Sequence, residues 1–160
     1  MNVLFVCLGN ICRSPLARGI FRHKATLVGL SANSDSAGFE AYHLGGPADP
    51  RSVAVAAKHG IDITDHVARK FSTGDFDRFD LIYVMDEYNY QDVMSLARNS
   101  SDRSKVDYLL NLSAPGSDHA VPDPYYGGRN GFEHIFKLME EACDRLVEEL
   151  SAGHGRKEAK

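Results

Sequence analysis

Val3-Leu4-Phe5-Val6-Cys7-Leu8-Gly9-Asn10-Ile11-Cys12-Arg13-Ser14-Pro15 is the stretch on which the fold turns. Its four leading apolar residues, partly β-branched, read as a short buried strand that stops at Cys7. Helix signals follow at once. Ser14 is a good N-cap, Pro15 suits the first helical position, and Leu16, Ile20 and Phe21 recur at helical spacing, so the pattern predicts a helix leaving from Ser14. A loop wrapped between a strand end and a helix N-terminus can aim several backbone N–H groups at one point, where the helix dipole adds partial positive charge. Such a cup suits a tetrahedral oxyanion. Arg13, at the far end of the loop, can grip two of the anion's oxygens in a bidentate fork, with Cys7 beneath the centre. A thiol in that field, close to a guanidinium, is favoured as the thiolate.

Outward from this stretch, strands alternate with helices. A second strand is expected near Asn33–Ser36, and Phe39–Asp49, with its glycines and Pro47, reads as a loop. Asp49 should cap a helix over Pro50–Lys58 that Gly60 ends. A helical turn capped by the Ser72 hydroxyl is expected next. Leu81–Met85 is a continuous β-prone run suited to a parallel sheet covered on both faces. It ends at Asp86, on the carboxyl edge where ligands of open α/β folds collect, and Glu87–Ala97 should be a helix. Asn99–Asp102 reads as a polar turn, and Val106–Leu110 as a fourth strand whose Asp107 an edge position would tolerate. A loop rich in Pro, Gly, Ser and Asp then runs to Val121-Pro122-Asp123-Pro124-Tyr125-Tyr126-Gly127-Gly128. Phe132–Leu150 closes the pattern as an amphipathic helix, with Cys143 on its apolar stripe.

With 160 residues the chain is expected to form one domain over 1–150, large enough to bury a core without staples, and a polar tail, 151–160, that frays. The 43% apolar and 25% charged content is ordinary for a soluble globular protein. A net charge of −4 gives no reason to expect nucleic acid or an anionic membrane as partner. No signal peptide or membrane span is visible. Three cysteines, one of them a working thiolate, point to the reducing cytoplasm.

The string VCLGNICRSP resembles the signature of the low-molecular-weight protein tyrosine phosphatases, C-x5-R-[ST] at the end of the first strand, and the resemblance covers Val3 to about Leu150. It implies an open, four-stranded parallel α/β sheet with helices on both faces, Rossmann-like, of the phosphotyrosine protein phosphatase I type. It also implies a chemistry. Cys7 is the nucleophile; Arg13 and the amides of Leu8, Gly9, Asn10, Ile11 and Cys12 hold the phosphoryl oxygens; Asp123, in the string DPYYGG, is the general acid and then the base. Ser14 should hydrogen-bond the sulfur, and Asn10 should hold the loop's unusual backbone, because Asn tolerates positive φ. The family aromatic that precedes a His in the Phe39–Asp49 loop matches Tyr42, expected to wall the pocket. Many members continue Ser-Ala-Gly-Thr where this chain has Phe39. His66 matches a residue of the network behind the phosphate loop, and Asp86 the aspartate that orients it. Tyr125 and Tyr126 would flank the mouth.

No cofactor is expected and no metal-ligand spacing is visible. Expected substrates are phosphotyrosine proteins or small aryl phosphates, taken by a monomer, because phosphoserine could not reach the sulfur of a deep cup walled by Tyr42, Ile11 and Tyr125. Relatives that prefer phosphoarginine tend to carry Thr where this chain has Ile11. Two rivals use the same cup: an arsenate reductase, which needs a further cysteine pair for a disulfide relay, and a phosphopeptide-binding module without turnover. Cys12, five residues from Cys7, either packs as a small apolar residue or captures oxidised Cys7 as a reversible disulfide.

Overall fold

The computed structural model describes residues 1–124 and 130–153. Four strands, β1 (Asn2–Val6), β2 (Asn33–Ala37), β3 (Leu81–Val84) and β4 (Val106–Tyr108), form one parallel sheet in the order β2-β1-β3-β4. The alternation of side chains along β1 sends Val3 and Phe5 into one core and Leu4 and Val6 into the other. The first core is closed by α1 (Arg13–Leu27), α2 (Pro50–Lys58) and the last helix, Gly131–Ser151; the second by Phe76 of α3 (Asp75–Arg78) and Val93 of α4 (Glu87–Leu96). Helices therefore cover both faces. A fifth short helix, α5 (Ser100–Ser104), leads into β4, and the last helix is α6.

Register places the site. Val6 pairs with Ala37 of β2 and with Val84 of β3, so Cys7, Gly38 and Met85 leave the carboxyl edge of three adjacent strands together. The chain's direction of travel reverses on either side of β1, which makes this edge the point where an open α/β sheet collects ligands.

Four local expectations change. Helix α1 begins at Arg13 with Cys12 at its N-cap, because the Ser14 hydroxyl is drawn back into the preceding loop rather than capping. The turn after Ser72 starts its helix at Asp75; the Ser72 N–H donates to the Asp75 carboxylate, and the Ser72 hydroxyl caps nothing. Asn99–Asp102 is a helix start rather than a turn, with the Asn99 side chain accepting from the Asp102 N–H at 2.8 Å. The fourth strand stops at Tyr108, and a 3₁₀ turn over Leu109–Leu112 buries Leu109 and Leu110 under α6. The Asp49 cap stands as read, accepting from the Arg51 N–H at 2.8 Å. Among the described residues no helix is long and apolar enough to cross a membrane.

Candidate active site

Residues 7–12 wrap the N-terminus of α1, and Asn10 is the residue that shapes the wrap. Its φ of 57° lies in the left-handed region, which Asn adopts at less cost than most side chains. It is 1% exposed, and every polar group it has is engaged. Its N–H donates to Cys7 Sγ at 3.3 Å, and its carbonyl accepts from His66 Nε2 at 2.5 Å. Its Nδ2 donates to Ser14 Oγ at 2.8 Å and to Ser36 Oγ at 2.9 Å, while Oδ1 accepts from the Arg69 N–H at 2.9 Å. Ser14 Oγ thus already accepts from Asn10, which leaves its own hydrogen for Cys7 Sγ, 3.0 Å away. Two donors therefore converge on the sulfur.

The loop is held from behind by neighbours far away in sequence. The Leu8 carbonyl accepts from the N–H groups of Phe39 (2.7 Å) and Glu40 (2.9 Å), and the Ile11 carbonyl from Asp49 (2.8 Å). Ser52 Oγ donates to the Cys12 carbonyl at 3.2 Å. Gly38 lies directly against the loop: a Cβ there would stand 2.7 Å from Leu8 O and 2.9 Å from Asn10 N. Arg69, whose backbone grips Asn10, is itself pinned by a two-point contact with the fully buried Asp75 at 3.1 Å. Burial alone would raise the Asp75 carboxyl, but hydrogen bonds from Arg69, Ser72 and Arg78 outweigh it and hold the group below its ordinary range.

His66 and Asp86 both support the site, but not as a pair. Because a carbonyl only accepts, the His66 contact to Asn10 fixes the imidazole with its hydrogen on Nε2. Burial pushes His66 below its ordinary value; the hydrogen bond to Asn10 opposes this, and the nearby Arg18 charge adds to it. Asp86 instead takes Arg13 Nη1 at 2.9 Å, and its other oxygen caps α4 by accepting from the Asn89 N–H at 2.9 Å. Arg13 Nη1 also donates to Val121 O at 2.9 Å. Nε and Nη2 of Arg13 have no hydrogen-bond partner among the described residues.

A cleft of about 160 Å³ opens over the loop, lined by Cys7, Leu8, Gly9, Ile11, Cys12, Arg13, Glu40, His43 and Asp123. The nucleophile, arginine and acid read from the sequence thus face one space, while Asn10 and Ser14 lie behind it. Tyr42 does not wall the cleft. It is 89% exposed, edge-on to the His43 ring at 5.1 Å, and His43 takes the inward place. Glu40 and His43 are the lining residues the motif reading did not assign; no periodicity in a glycine-rich loop marks which side chain turns inward. Tyr125 and Tyr126 lie outside the described residues, as does the tail from 154. Cys143 is fully buried in α6, its thiol held far up by burial and placed against the Ala17 carbonyl, and it does not line the cleft.

Residues 2–156 match the family described as low molecular weight phosphotyrosine protein phosphatase. A protein of that description from Schizosaccharomyces pombe is 46% identical over 154 residues, covering 94% of this chain and 97% of the relative. The crystal structure of a protein tyrosine phosphatase from Entamoeba histolytica superposes with a TM-score of 0.88 at 35% identity, over 96% of this chain and 98% of that one. An arginine phosphatase from Drosophila superposes with a TM-score of 0.86 at 32% identity, over 94% of this chain and 98% of that one.

Proposed function

The chain belongs to the low molecular weight phosphotyrosine protein phosphatases, and from that premise we propose that it hydrolyses phosphotyrosine through a phosphocysteine on Cys7. The observation that carries the reading is the cleft in which Cys7, Arg13 and Asp123 share one lining. A binding module would need the cup and the arginine, but neither a nucleophile at its floor nor an acid at its side.

In the first step Cys7 Sγ attacks phosphorus, and the phenolic oxygen leaves with a proton from Asp123. The loop amides and the two free donors of Arg13 take the three equatorial oxygens, over which the charge of the flattened transition state is spread. Ser14 and the Asn10 N–H support the sulfur as a leaving group in the second step, when water, deprotonated by Asp123, attacks phosphorus and phosphate departs. Ile11 brings a branched apolar chain to the cleft wall, which suits an aromatic ring. Arsenate reduction is disfavoured, because Cys143 is fully buried in α6 and cannot relay a disulfide from Cys7 without unpacking the core.

The test compares para-nitrophenyl phosphate with matched phosphotyrosine, phosphoserine and phosphoarginine peptides, using wild type, Cys7→Ser and Asp123→Asn in chelator. Preference for phosphotyrosine that vanishes in Cys7→Ser and falls about 10²–10⁴-fold in Asp123→Asn supports the mechanism. No turnover in reduced protein overturns it, and preference for phosphoarginine overturns the substrate.

A further inference from the structure

Glu40 is a carboxylate on the wall of a site built to bind an anion. Its position is not casual. The N–H groups of Phe39 and Glu40 both donate to the Leu8 carbonyl, so the backbone of this segment is bolted to the phosphate loop. The Phe39 ring goes to the other side, stacked on Phe71 at 5.5 Å, and Glu40 is turned over the loop. There its Oε1 lies 3.5 Å from the point where a Cβ on Gly9 would stand. Glu40 is solvent-exposed and its carboxylate has no hydrogen bond or ion pair among the described residues. The nearby cation is already shared, since Arg13 is bound to Asp86.

An unpaired carboxylate in this place opposes an approaching phosphate dianion unless the substrate brings a positive charge of its own. Resting on the phosphotyrosine reading above, we propose that Glu40 selects substrates in which a lysine or arginine flanks the phosphorylated residue. The cation sits against Glu40 while the phosphoryl group fills the cup, and the same carboxylate weakens the hold on free phosphate, which carries no cation. Product release and substrate choice then follow from one side chain.

The experiment uses three phosphotyrosine peptides identical except for Lys, Ala or Glu on both sides of the phosphorylated residue. They are assayed with wild type, Glu40→Gln and Glu40→Lys, and inorganic phosphate binding is measured by calorimetry on the same proteins. An exposed charge pair shifts kcat/KM up to about fivefold for Lys over Ala at low salt, and the preference shrinks as salt is raised. Glu40→Gln should level the three peptides, Glu40→Lys should invert their order, and phosphate should bind more tightly in both variants. A Lys preference that survives in Glu40→Gln, or equal turnover of all three peptides by wild type, overturns the role of Glu40 alone. No turnover of any peptide overturns the phosphotyrosine reading and this inference with it.

Discussion

Gly38→Ala is the substitution by which the packing behind the phosphate loop is best tested. Gly38 is fixed by a parallel bridge to Lys70: its N–H donates to Arg69 O at 2.9 Å, and its carbonyl accepts from the Phe71 N–H at 2.7 Å. A methyl group at this position points at the loop, 2.7 Å from Leu8 O and 2.9 Å from both N and Cβ of Asn10. All of these are atoms of the loop's backbone or its first carbon, and no flexible side-chain end is available to swing away. Ordinary contact begins at 3.4 Å, so the loop must retreat by roughly 0.7 Å in an interior with little room to yield. Overpacking of this kind costs about 1–3 kcal/mol, which for a chain of this size lowers the melting temperature by about 2–12 °C.

The effect on catalysis should be larger than the effect on folding. The Asn10 N–H is one of the two donors on Cys7 Sγ, and the same backbone carries the amides proposed to hold the phosphoryl oxygens. Misplacing reacting groups by about 1 Å costs about 10²-fold, so kcat/KM for para-nitrophenyl phosphate is expected to fall about 10–100-fold. Thermal melting and steady-state kinetics on the same preparation separate the two effects. A variant with wild-type kcat/KM and wild-type phosphate affinity would refute the claim that Gly38 sets the loop's position.

His66→Gln probes the buried imidazole: because its folded value lies below the ordinary 6.5, the unfolded chain takes up a proton that the folded chain refuses. Wild-type melting temperature should therefore decline as pH falls below about 6.5, and Gln, which can still donate to the Asn10 carbonyl, should flatten that limb in scanning calorimetry. Asp86→Ser keeps a good cap for α4 but releases Arg13 Nη1, so kcat/KM should drop tenfold or more, with a change in melting temperature of only about 2–4 °C. Cys12 and Cys7 line the same cleft unbridged, and if peroxide converts Cys7 to a sulfenic acid that Cys12 captures, dithiothreitol should restore wild type but not Cys12→Ser. Equal recovery in both would show that Cys12 only packs.

What could be read from the chain was what is local. The strand, the loop and the helix of residues 3–27 announce themselves by periodicity and by Gly, Ser and Pro punctuation within a few residues of each other. Asp49-Pro50 is as local a signal, and the Asn99 cap was equally available, since an Asn three residues before an Asp marks a helix start as well as a turn. What escaped the reading depends on partners far along the chain. Nothing near Ser14 says that Asn10 will claim its oxygen, because Asn10 is itself placed by Ser36, His66 and Arg69. Asp86 could not be assigned to Arg13 rather than His66, because both lie far from it in sequence and only the sheet order decides which arrives. The exchange of Tyr42 for Glu40 and His43 has the same origin: which loop side chains face the cleft was set by the Leu8 carbonyl, which takes two N–H groups of that loop.

The same logic explains how the proposed nucleophile, Cys7, and the proposed acid, Asp123, keep a fixed separation although more than a hundred residues apart. Cys7 follows β1, and the acid segment hangs from β3, where the Val121 N–H donates to Met85 O at 2.7 Å. β1 and β3 are direct neighbours, with Val6 opposite Val84, so the two anchors stand one strand spacing apart, about 4.8 Å. Arg13 closes the bracket by binding Val121 O and Asp86 at once, which ties the anion cup to the root of the acid segment. Geometry for the chemistry is therefore carried by the sheet and by one buried guanidinium. Loosening Arg13 or the β3 end should therefore act on kcat.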